Sequence, residues 1–127
     1  MTLNKISLQD FIQVLSYDVV GNNACIEVEF SIDDDPEYSS CWLGKTIDRE
    51  TKKECYWYGL VPDGSQAYDY FLMDEFLNAK VFRGKSIQEV WHAVTFYSID
   101  GLDVGERLLH YLGLEPGFIR GPATPLS

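Results

Sequence analysis

Few segments of this chain carry residue types at a spacing that chemistry needs. The segment Ala79 to Ser86 (AKVFRGKS) fits the permissive form of a phosphate-binding loop, and a helix-capping pattern follows it. Such a loop must wrap backbone N–H groups around phosphate, and bulky Val81 and Phe82 stand where small residues are needed. The residues before Ala79 read as helix where the motif wants a strand. Only fifteen positions separate Lys85 from Asp100, the nearest acidic strand end, too few for the crossover that a magnesium-holding strand requires. Gly44-Lys45-Thr46 repeats the ending with no helix behind it. Nucleotide binding is rejected.

Asp33-Asp34-Asp35-Pro36-Glu37 concentrates carboxylates, as calcium sites do. A calcium loop of the helix-loop-helix kind needs oxygen ligands at alternate positions, a mid-loop glycine and a distant bidentate carboxylate. Consecutive aspartates supply none of this, so the segment reads as a solvated acidic turn that could meet a basic partner. The cysteines are Cys25, Cys41 and Cys55, an odd number without a C-x-x-C pair, in a chain with only His92 and His110 as imidazoles. They are expected to be reduced, buried thiols acting as small hydrophobes, and the histidines to be partly buried structural residues. No metal site, cofactor or catalytic residue is predicted.

The elements that would position these residues can be read from periodicity. Ser7 and Asp10 cap a helix whose stripe is Leu8, Phe11, Ile12 and Leu15. Ile26, Val28, Phe30 and Ile32 alternate with Glu27, Glu29 and Ser31, a strand with one charged face. Further strands are predicted over Ser40–Ile47, Cys55–Val61 and Gln66–Phe71, with the clearest turn at Pro62-Asp63-Gly64-Ser65. The period then becomes helical over Asp74–Lys80. A capping box, Ser86 with Glu89, opens a second helical stretch through Ile87, Val90, Trp91 and Val94. Thr95–Ile99 reads as a fifth strand. Asp103 caps a last helix carrying Leu108, Leu109 and Leu112, which Gly113 and Pro116 end. Residues 117–127 read as a tail.

At 127 residues, with 46% hydrophobic and 14% aromatic side chains, the expectation is one α+β domain: an antiparallel β-meander of about four to five strands with helices packed on one face. No apolar run is long enough to span a bilayer and the first residues lack a signal-peptide core, which predicts a cytoplasmic protein. A four-residue turn at Pro62–Ser65 would pair Trp57 with Tyr70, Gly59 with Tyr68 and Tyr56 with Phe71. A turn at Arg49–Lys52 would place Trp42 beside Gly59. Aromatic rings would then cover a strand glycine from both flanks. One face would carry Cys41, Leu43, Tyr56, Tyr58, Leu60, Ala67 and Phe71 as core. The other would carry Trp42, Trp57, Tyr68 and Tyr70 among small polar residues, either as a contact surface or beneath a covering helix.

Charge carries the functional expectation. Twenty acidic against ten basic residues give a net charge of −10, and Asp18 to Glu37 holds seven carboxylates with no Lys or Arg. Such a surface repels phosphate backbones and anionic headgroups, which argues against nucleic-acid and membrane binding and favours a basic protein partner. The composition is similar to that of immunity and antitoxin proteins, a resemblance that rests on no motif. It implies a non-catalytic protein-binding domain using Glu27, Glu29, Asp33, Asp34, Asp35 and Glu37 for steering and Trp42, Trp57, Tyr68 and Tyr70 as anchors. Two alternatives stand beside it: a small enzyme or ligand carrier with an aromatic-lined pocket, and a homo-oligomeric structural or phage-derived protein.

Overall fold

A computed structural model describes residues 4–113 of the chain, so the expected tail at 117–127 lies outside the described residues. Its centre is a five-stranded antiparallel sheet: β1 (Ile26–Ile32), β2 (Cys41–Ile47), β3 (Glu54–Gly59), β4 (Ala67–Tyr70) and β5 (Val94–Ile99), in the order β4-β3-β2-β1-β5. The first four strands form the meander, and β5 returns to the far side of β1. Four helices accompany the sheet: α1 (Leu8–Leu15), α2 (Val19–Asn22), α3 (Met73–Asn78) and α4 (Val104–Tyr111). Their buried residues, among them Phe11, Leu15, Phe76 and Leu108, join Val28, Phe30, Leu43, Tyr58 and Phe96 in a single core on one side of the sheet. This is the α+β meander with helices on one face.

Turn chemistry sets the register. The Arg49–Lys52 connection closes with the Asp48 amide on the Lys53 carbonyl at 2.8 Å, and Asp48 accepts from the Thr51 amide and hydroxyl. Trp42 therefore lies opposite Gly59, as expected. The next turn differs. Pro62 and Asp63 occupy the centre of a turn that ends at Gly64, with φ +80°, whose amide donates to Val61. The ladder resumes only at the Leu60 amide on the Gln66 carbonyl, so the loop spans five residues rather than four. That single extra residue moves β4 by one: Tyr58 meets Tyr68 and Tyr56 meets Tyr70. In a pleated strand one step exchanges the faces. Tyr68 and Tyr70 thus turn toward the helices, while Ala67 and Phe71, expected in the core, are exposed.

Aromatic packing anchors the helical side. The Tyr58 ring stacks on Phe76 at 4.1 Å, donates its hydroxyl to the Phe76 carbonyl, and meets Phe82 edge-on. Phe11, Trp91 and Phe96 fill the other half. Between these clusters lies a residue no pattern marked. Lys45 occupies a core-facing position of β2 and is 1% exposed. Its ammonium donates to the Leu15 and Tyr17 carbonyls at 2.8 and 2.7 Å and pairs with Glu54 at 2.9 Å. The sheet thereby caps the C-terminal end of α1, where orphan carbonyls and the helix dipole both favour a cation.

Two other expectations change. The Ser86–Glu89 capping box forms reciprocally, yet only one turn follows before a 3₁₀ segment at Trp91–Ala93. The chain must straighten at once because Val94 is already paired with Ile32. Cys25 is exposed, one residue ahead of β1 and just past the left-handed Asn23 that ends α2. Cys41 and Cys55 are buried as expected.

Candidate functional site

The rejected phosphate motif is a tight reverse turn. Phe82 and Lys85 exchange backbone hydrogen bonds around Arg83 and Gly84, both at positive φ, and Phe82 is buried in the core. The Phe82 and Lys85 amides are spent on each other's carbonyls and the Ser86 amide on Glu89, so these three do not cradle an anion. Burial pushes the Cys41 thiol up to about 12, which keeps it protonated and poorly nucleophilic at neutral pH. His92 and His110 are exposed rather than partly buried; His110 lies against Tyr17 and Tyr111 on the surface of α4. Among the described residues no group of three or more His, Cys, Asp or Glu side chains is placed to hold a metal ion.

The acidic bend is internally balanced to a degree the sequence did not show. Asp33 accepts from the Lys5 ammonium at 2.7 Å and from the Thr95 hydroxyl at 2.6 Å, which holds its carboxyl below its usual range. Arg83 binds Asp35 at 3.0 Å, pairs with Glu37 and lies over the Tyr38 ring, and it lowers the Asp35 carboxyl in the same way. The cations come from remote points of the chain on either side of the bend, not from the neighbouring Lys45, Arg49 or Lys53. Asp34, at φ +60°, is the bend acid for which the described residues show no ion pair. Beside it lies an open depression of about 680 Å³, lined by Ser31, the three aspartates, Ser39 and Tyr97. Tyr97 is the only aromatic in that lining, so it is not the aromatic-walled pocket that the ligand-carrier alternative requires.

The outer face of the sheet is different in kind. Its strand positions are Glu27, Glu29 and Ser31 of β1, Trp42, Gly44 and Thr46 of β2, Cys55, Trp57 and Gly59 of β3, and Ala67 and Asp69 of β4. None is Lys or Arg, and the buried residues of all four helices belong to the core on the opposite side. Cross-strand pairing aligns them in rows. Glu27, Gly44, Trp57 and Asp69 form one row, and Glu29, Trp42, Gly59 and Ala67 the next. Trp42 is 37% exposed. Trp57 is half-buried because its indole lies over Gly44, where an added Cβ would sit 2.7 Å from the ring and 2.0 Å from the Ile26 carbonyl. Gly44, not Gly59, is the glycine that an aromatic covers.

Tyr97 extends this face. The β1–β5 register shifts between Glu29 and Phe30, where Phe96 and Ser98, but not Tyr97, find partners. A bulge of this kind re-aims one side chain. Tyr97 is 49% exposed, with its hydroxyl 2.8 Å from that of Ser31. The structure therefore brings together Trp42, Trp57, Glu27 and Glu29 from the expected set, adds Tyr97 and Asp69, and places Tyr68 and Tyr70 on the other side. The signal for Tyr97 is non-local, since only pairing with β1 reveals the extra residue. Comparison with protein-family models, with curated proteins and with solved structures gives no match to this chain.

Proposed function

We propose that this chain is a non-catalytic protein-binding domain that receives a basic protein partner on the open outer face of its sheet. One observation carries the reading: Trp42, Trp57 and Tyr97 lie among Glu27, Glu29 and Asp69 on a face whose strand positions hold no cation. Rigid amphipathic rings give contact area at little entropic cost, and carboxylates around them steer a cationic surface and reject an anionic one. The compositional resemblance to immunity proteins makes a toxin of the same cytoplasm the kind of partner that fits. Among the described residues no helix is long and apolar enough to cross a membrane.

The acidic bend keeps a smaller part in this reading. Lys5 offsets Asp33 and the single Arg83 is shared by Asp35 and Glu37, so two of the bend's four negative charges, that of Asp34 and one of the shared pair, remain for long-range attraction. The test uses the full chain to capture a partner from the source cell, then measures association of the purified pair. The Glu27→Lys/Glu29→Lys variant is expected to slow association about tenfold at low salt and flatten its salt dependence. Trp42→Ala is expected to speed dissociation by about thirtyfold, the cost of a central anchor of about 2 kcal/mol. An association rate indifferent to both charge reversals and to salt overturns the proposal, and self-association to a stable oligomer through the tryptophans supports the homo-oligomer instead.

A further inference from the structure

The two edges of the sheet are treated differently. Along β5 the chain covers its own edge: the Phe96 amide donates to the Asn4 carbonyl at 2.8 Å, and the Lys5 ammonium reaches the Val94 carbonyl at 2.9 Å. Strand β4 has only β3 as neighbour among the described residues. The Leu60–Gln66 bond fixes the phase of the ladder, so Tyr68 and Tyr70 direct their amides and carbonyls to β3. Ala67 and Asp69 direct theirs away from the sheet. Natural edges are usually blunted by lysine, proline or a bulge. This one has none of the three: it is a short strand of four residues whose one charge is the Asp69 carboxylate, and it runs into Phe71 and Leu72, which are 48% and 60% exposed.

Charge says what the edge would accept. From Lys53 to Lys80 the sequence contains no Lys or Arg, while Glu54, Asp63, Asp69, Asp74 and Glu75 are all acidic. A second copy is the wrong occupant, because antiparallel self-pairing would gather the Asp69 carboxylates and the Asp74–Glu75 pairs of both chains along one seam. We infer that the free edge of β4 takes up an extended, lysine- or arginine-bearing segment of a protein partner as a sixth strand. Main-chain hydrogen bonds to Ala67 and Asp69 supply the binding, and basic side chains of the segment meet Asp69 on the outer face. The inference deepens the proposed function, and it rests on that reading only for the partner being a basic protein.

The test uses a short synthetic peptide in which lysine and valine alternate, with a glutamate–valine peptide as control, and residue-resolved amide exchange of the full chain. In the free protein the Ala67 and Asp69 amides should exchange at least tenfold faster than those of Tyr68 and Tyr70. With the lysine peptide bound, Ala67 and Asp69 should slow by at least tenfold, with no effect from the control. Ala67→Pro removes one outward donor and no inward bond, and Asp69→Lys reverses the charge while leaving the backbone intact; each should weaken the lysine peptide at least tenfold. Binding that shifts the indoles of Trp42 and Trp57 without protecting Ala67 and Asp69 overturns the inference and leaves the face reading standing. Edge amides already protected in the free protein, or no binding at millimolar peptide, overturn it as well. Protection of the edge with no dependence on Glu27 or Glu29 in the captured complex would sink the face reading alone.

Discussion

Replacing Lys45 with methionine isolates the one buried cation among the described residues. Methionine retains most of the stem that packs along Tyr56 and removes the ammonium that satisfies Leu15, Tyr17 and Glu54. The three losses are unequal. Leu15 is fully buried, so its stranded carbonyl costs about 1–3 kcal/mol. The Tyr17 carbonyl lies in a partly exposed residue and recovers water, for a loss of about 0.5–1 kcal/mol. The Glu54 side chain is one-third exposed, so its carboxylate rehydrates and the several-kcal/mol penalty of a stranded buried charge does not apply. Lys45→Met should therefore cost about 1.5–4 kcal/mol. In urea, followed by far-UV circular dichroism, the midpoint should fall by about 1–2 M with the slope unchanged. Glu54→Gln should cost under about 1 kcal/mol, as a partly solvated pair does. A Lys45→Met midpoint within about 0.3 M of the parent, at typical slopes, would refute the claim that the sheet holds the end of α1 through this ammonium.

Two further outcomes follow from named contacts. Gly44→Ala should destabilise by about 2–3 kcal/mol, because the new methyl meets the Ile26 carbonyl and the Trp57 ring, whereas Gly59→Ala, whose nearest atom would lie 3.9 Å away, should be neutral or stabilising by up to about 1 kcal/mol; paired thermal melts compare them. The Glu89 carboxyl is held down to about 2 by the Lys80 ammonium and the Ser86 amide, so its contribution to stability is fully present above the ordinary carboxylate range and is lost as pH falls through about 2. A carboxyl carbon titration should show this midpoint, and Lys80→Ala should return it toward the ordinary range.

Local signals carried most of the fold. Strand β1 was legible because four apolar residues alternate with Glu27, Glu29 and Ser31, and its apolar face is indeed buried. All three caps read from sequence are formed, Ser7 accepting from the Asp10 amide, Asp103 from the Glu106 amide, and Ser86 and Glu89 bonding reciprocally. What sequence misread was set by one residue of loop length or by distant pairing. The turn at Pro62-Asp63-Gly64 was recognised, but whether Leu60 or Val61 closes the loop depends on burying Tyr68 and Tyr70 rather than Ala67 and Phe71, a tertiary choice. Lys45 stands at the right parity to be buried in β2, yet lysine carries no local sign of a partner, and the carbonyls it satisfies lie about thirty residues away. The bend acids looked free of counter-ions because Lys5 and Arg83 are remote in sequence, 28 and 48 positions from Asp33 and Asp35.

That last correction changes where attraction to a partner would originate. A bend tied down by Lys5 and Arg83 is a structural clasp: it joins the segment before α1 and the Phe82–Lys85 turn to the end of β1. Its far field is weaker than its four carboxylates in the sequence suggest, because Lys5 and Arg83 offset two of those charges. Glu27 and Glu29 on β1 and Asp69 on β4, for which the described residues show no ion pair, flank the exposed rings instead. Steering charge and contact area then coincide on one face, and the edge that borders it, at Ala67 and Asp69, extends the same charge to open backbone. A cationic partner drawn to this side of the molecule meets the tryptophans without having to reorient, whereas at the bend Lys5 and Arg83 already offset two of the four carboxylates.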